Sequence, residues 1–133
     1  MPSSTSAQSG GSNVTKSLAD WIATTNARDM NRLAAFYMPV VEAFYQQRKV
    51  KRAAVRAEKV RTIERADIVR ISAAAPQISF SGDGSRATMK SRKVLPHRSR
   101  SPQPPGEVLQ ELIWQNTDTG WKIVSERDLR VIR

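Results

Sequence analysis

Near Ala66 the apolar residues of this chain change their spacing, from every third or fourth position to every second. That change limits the fold. Helices must come first and strands after, an α+β order with helices laid on one face of a mainly antiparallel sheet. Before the change, Val14, Leu18, Trp21, Ile22 and Thr25 fall at helical spacing and predict a first helix over 14–27, with Ser12 and Asn13 as caps. Asp29 is placed to cap a second helix whose apolar face is Met30, Leu33, Phe36 and Tyr37, and Pro39 ends it. The stretch from Val40 opens with a short apolar patch and then reads as a third helix. Val50, Ala53, Ala54, Ala57 and Val60 share one of its faces; Arg48, Lys51, Arg52, Arg56 and Lys59 form a basic surface roughly opposite.

After the change, alternation predicts strands over about 68–74, 77–81, 86–95, 108–116 and 120–129. Ser81-Gly82-Asp83-Gly84-Ser85 and Thr117-Asp118-Thr119-Gly120 are turn sequences. Residues 96–107, rich in proline and without a large apolar residue, read as a long loop. Residues 1–13 are mainly Ser, Gly and Thr and read as a disordered tail or linker ahead of one domain over 14–133.

Composition removes several chemistries. The chain has 133 residues and is 39% hydrophobic, enough for one core and low for two. It has no cysteine and 1 histidine, which excludes disulfides, cysteine catalysis and His- or Cys-built metal sites. No run approaches the roughly 18 apolar residues needed to span a bilayer, and no signal peptide is visible. The net charge of +10 predicts attraction to polyanions without specifying one.

Three segments in order carry a resemblance. "DWIATTNARDMNRLAAFYMP", "APQISFSGDGSRATM" and "ELIWQNTDTGWKIVSE" resemble the opening helices, mid-sheet hairpin and closing hairpin of the nuclear-transport-factor-2-like superfamily. The resemblance implies a cystatin-like cone, three helices wrapped by a strongly curved antiparallel sheet with a cavity between them. It also implies a homodimer through the outer sheet face. Members include isomerases, dehydratases and cyclases as well as non-catalytic modules. The sequence is most similar to modules appended to bacterial envelope proteins, which would place it in the envelope or periplasm.

Candidate functional residues follow from that frame. Trp21, Phe36, Tyr37, Tyr45, Met89, Trp114 and Trp121 are the large side chains expected to fill the core or line its cavity, and Tyr37 and Tyr45 can offer hydroxyls to a ligand. No catalytic or metal set assembles, and no cofactor is implied. His97 lies in the basic proline-rich loop, and the aspartates fall at caps, turns or exposed positions. Alternation places Trp114 with Leu112 and Trp121 with Ile123, and sets Glu126 where the last strand frays, paired with an arginine. Nucleic acid is disfavoured, because no aromatic residue interrupts the basic stretch between Tyr45 and Phe80. The leading expectation is a non-catalytic small-ligand or protein-interaction module. The alternatives are a small isomerase, dehydratase or cyclase and a polyanion-binding domain. A buried acid near Tyr37 would favour the enzyme.

Overall fold

The structure, a computed structural model, describes residues 3–64, 73–94 and 107–131. Its elements are α1 (Ser3–Asn26), α2 (Met30–Ala34), β1 (Val40–Phe44), β2 (Gln47–Lys51), α3 (Arg52–Lys59), a π-helical turn (Val60–Glu64), β3 (Ala73–Phe80), β4 (Arg86–Val94), β5 (Glu107–Thr117) and β6 (Gly120–Val131). The six strands form one curved, unclosed sheet in the order β2-β1-β6-β5-β4-β3. Every neighbouring pair is antiparallel except β1 and β6.

α1 begins well ahead of the start its apolar spacing predicts, and its packed face is Val14, Leu18 and Trp21. The corner to α2 has Arg28 at φ 59, and Asp29 caps α2 by accepting from the Arg32 N–H at 3.2 Å.

Two expectations for residues 40–66 are corrected. The stretch does not pass from an apolar patch directly into a helix; it first makes the hairpin β1–β2. Val40, Val41 and Phe44 are β-branched or aromatic, and Val41 pairs with Val50 across the hairpin. Both Val41 and Val50 are buried. Arg48 and Lys51 therefore belong to β2 and not to a helix. The faces of α3 are also reversed. Val55 and Lys59 are its buried residues, one turn apart, while Ala53, Ala54 and Ala57 are exposed.

Below the helices lies one inner row after another. Cross-strand pairing joins Ala87 to Trp114 to Ile123, Met89 to Leu112 to Glu126, and Ser91 to Gln110 to Asp128. The first row is apolar and the last is polar, so the inner face changes character along the strands. The position of Glu126 depends on a β-bulge. Ile113 pairs with Ser125 and Trp114 with Ile123, leaving Val124 as an extra residue in β6. The extra residue shifts the alternation by one and brings Glu126 to the same face as Ile123.

The strand expected over 68–74 and the loop over 96–107 lie almost wholly outside the described residues. Among the described residues, no helix is long and apolar enough to cross a membrane.

Candidate functional site

Glu126 is fully buried, which corrects the expectation of a frayed, arginine-paired residue. A buried carboxylate needs donors around it, and four side chains supply them. The Tyr37 hydroxyl donates to Oε1 at 2.5 Å. The Tyr45 hydroxyl and the Lys59 ammonium donate to Oε2 at 3.0 and 2.7 Å. Gln110 Nε2 lies 3.4 Å from the same oxygen. Behind Tyr37, Trp21 Nε1 donates to the phenol oxygen at 3.2 Å.

Lys59 is the second correction, because it is not part of a basic surface. Its relative exposure is 7%. Its ammonium lies 5.6, 5.7 and 5.8 Å from the ring centres of Trp21, Phe44 and Tyr45. It lies on the packed side of α3 because it repeats Val55 one turn later. The remaining basic residues are spread over two elements. Arg48 and Lys51 are exposed on β2, Arg56 donates twice to Asn31 Oδ1, and Arg52 donates through Nε and Nη2 to the Tyr37 carbonyl at 3.0 and 2.8 Å.

These surroundings set the protonation states. Burial pushes Glu126 up, but the Lys59 and Lys93 charges and the Lys59 and Tyr37 hydrogen bonds outweigh it and hold the carboxyl below the ordinary carboxylate value. Glu126 is therefore ionised at neutral pH. Burial, followed by the Glu126 charge, raises both Tyr37 and Tyr45 well above the usual phenol value, so both stay protonated donors.

A cleft of about 930 Å³ opens beside this cluster, between the β1–β2 hairpin, α3 and the last part of β6. Phe44, Tyr45, Ala54 and Ala57 give it apolar wall, and Gln46, Glu58, Arg61 and Asp128 bring polar groups. Tyr45 belongs to both cleft and cluster. Its backbone N–H donates to the Glu126 carbonyl at 2.7 Å, while its hydroxyl holds the Glu126 side chain. It occupies a turn position at φ 55, a left-handed conformation disfavoured for a bulky residue. Two bonds to one residue fix it there.

Of the candidates read from the sequence, Trp21, Tyr37 and Tyr45 meet at Glu126. Met89 and Trp114 are buried in the core, and Phe36 packs against it; none of the three lines the cleft. Trp121 also joins the core. Trp114 Nε1 is buried with no hydrogen-bond partner among the described residues. His97 lies outside the described residues. Among those described, no three His, Cys, Asp or Glu residues gather as a metal site.

Sequence reasoning missed Glu126, Gln110, Lys93 and Asp128. Gln110 and Asp128 share the polar inner row, and Lys93, two residues beyond Ser91 on the same face of β4, brings its Nζ to 3.4 Å from Asp128 Oδ1. Strict alternation hid Glu126, because the bulge breaks it. One available signal was a polar residue, Gln110, in phase with Leu112 and Trp114.

No protein family profile matches the sequence, and no curated protein matches it. Solved structures do match in fold. A protein of Novosphingobium aromaticivorans provisionally assigned as a scytalone dehydratase superposes with a TM-score of 0.80 at 16% identity, over 98% of this chain and 89% of that one. A nuclear-transport-factor-2-like protein with a cystatin-like fold from the same organism gives 0.75 at 12% identity, over 95% and 84%. A Streptomyces avermitilis protein of that family, provisionally a dehydratase, gives 0.71 at 14% identity, over 92% and 96%. The chain therefore has the nuclear-transport-factor-2-like fold.

Proposed function

We propose that this chain is a small-ligand-binding module whose ligand occupies the cleft between the β1–β2 hairpin, α3 and β6. The observation that carries the reading is the cleft itself. Its volume of about 930 Å³ suits a small organic molecule. Apolar wall from Phe44, Ala54 and Ala57 is joined by a few polar groups, the composition of such sites. The buried cluster supports the same reading by fixing Tyr45, which forms part of the wall. NMR titration with a panel of small aromatic and aliphatic alcohols tests it. Amide shifts concentrated at Tyr45, Gln46, Ala54, Ala57 and Asp128 are expected. Shifts scattered over the surface, or none from any member of the panel, would sink the proposal.

A second reading is favoured by a specific observation, the buried Glu126 beside Tyr37. An ionised carboxylate held by phenols and an ammonium is a charged constellation beside a cleft, and two of the similar structures carry provisional dehydratase assignments. Against it, the oxygens of Glu126 are already engaged by donors. Incubation with a β-hydroxyketone discriminates: an enzyme produces the conjugated enone, read by ultraviolet absorbance, faster than buffer does. Equal rates remove this reading and leave the binding module.

A further inference from the structure

Lys93 occupies the inner side of β4 with 3% of its surface exposed. Its Nζ lies 3.4 Å from Asp128 Oδ1 and 5.7 Å from the centre of the Tyr45 ring. Asp128 and Tyr45 both line the cleft. The amine thus sits directly behind two side chains of the cleft wall.

Its surroundings differ from those of the neighbouring Lys59. The Lys59 ammonium is held by Glu126 at 2.7 Å and surrounded by three aromatic rings. For Lys93 the shortest ion contact among the described residues is the longer one to Asp128. An ammonium brings three donors, so one such contact compensates its burial poorly. Burial lowers the Lys93 pKa; the Lys59 charge adds to this and the Glu126 and Asp128 charges oppose it, leaving it below the usual lysine value. A desolvated lysine beside a second cation is a setting that raises the fraction of neutral, nucleophilic amine.

We propose that Lys93 is a carbonyl-reactive amine serving the cleft, and that the ligands of the cleft include aldehydes or ketones held as an imine on its Nζ. The inference rests on the binding reading of the cleft and names its ligand class. The Asp128 carboxylate takes a proton from the Lys93 ammonium. The freed lone pair on Nζ attacks the carbonyl carbon, and the carbonyl π pair moves to oxygen, which is protonated through Asp128. Asp128 next takes a proton from the carbinolamine nitrogen and returns it to the hydroxyl, which leaves as water while the freed nitrogen lone pair closes the C=N bond. Ammonium and carbonyl give the protonated imine and water; nothing is oxidised or reduced, and Asp128 ends as it began.

The test uses the full chain with 4-hydroxybenzaldehyde as the probe and cyanoborohydride to trap the imine, at neutral pH. Peptide mass spectrometry then locates the adduct. The expected result is an adduct on Lys93 at several times the level on Lys90, which is exposed on the same strand. Lys93→Met should lose that adduct while Lys90 labelling is unchanged. Because the adduct is mapped on the native chain, a misfolded variant does not affect the conclusion. Labelling confined to exposed lysines overturns the proposal. In parallel, 4-hydroxybenzyl alcohol, which cannot form an imine, reports on the cleft by NMR. Shifts at Tyr45 and Asp128 without a Lys93 adduct overturn the imine and leave the cleft reading standing. No shifts and no adduct remove both.

Discussion

Glu126 and Lys59 form a buried ion pair, and each is there because the other is. Removing one charge strands its partner in the core. Glu126→Gln is expected to destabilise the chain by about 3–5 kcal/mol in urea unfolding, while Glu126→Leu combined with Lys59→Met should recover most of that loss. A double variant no better than the sum of the single ones would show that the two charges do not depend on each other. The pH sign follows from the direction of the shift. The carboxyl titrates lower folded than its ordinary value of 4.5, so its contribution is complete above that value and is lost as pH falls through the lower, folded one. The 2 tyrosines of the chain give an optical check. Both are raised above 10.0 when folded, so the unfolded chain ionises first and stability falls as pH rises past that value. Phenolate absorbance should therefore appear together with loss of the fold. A phenolate step in the native chain near the ordinary value would contradict the buried arrangement of Tyr37 and Tyr45.

Among the elements, the β1–β2 hairpin carries most of the local strain. Lys49 lies in β2 at φ 53 with an exposed side chain. A left-handed residue with a Cβ costs roughly 1–2 kcal/mol. Lys49→Gly should thus raise stability by up to about 1 kcal/mol, and Lys49→Val should lower it, both measured by thermal unfolding. The same hairpin shows what the sequence conceals. Helical spacing in α1 and α2 and the turn before β4 were legible, because each is specified locally by apolar period, an N-cap or Gly-Asp turn chemistry. The span from Val40 to Lys51 was not. Its two central residues, Tyr45 and Gln46, lack the Gly or Asn that normally marks a tight turn, and the bonds holding Tyr45 come from Glu126 in β6, 81 residues later in the chain but adjacent in space. The face of α3 was misread for a related reason. Alanine counts as apolar in a periodic pattern, yet Val55 and Lys59 form the packed side because Glu126 offers the lysine a partner.

At the scale of the whole molecule, the site depends on how the sheet's inner face grades from apolar to polar. Helices ahead of the main run of strands, and Trp114 with Leu112 and Trp121 with Ile123 packed in the core, were legible from period and spacing, while the curved sheet came from the resemblance. The polar end was not, since it is assembled from β4, β5, β6 and α3 at once. The surface follows a different rule. With a net charge of +10 the folded chain repels itself, and the interior ion pair does little to offset that. Raising salt from about 0.01 to 0.15 M shortens the screening length from roughly 30 to 8 Å. The melting temperature should rise over that range, and a fall would show that attractive surface pairs outweigh the excess charge.

The extra residue at Val124 bears on how such a domain can diverge. Flattening the bulge with every residue kept would pair Val124 with Ile113 and turn Ser125 inward opposite Leu112 in place of the acid, whereas a chain lacking Val124 would keep Glu126 inward on a regular strand. Charge in this interior is thus governed by reading frame in space as much as by amino-acid identity. Two relatives could share every residue of the cluster and still differ in whether the cluster exists.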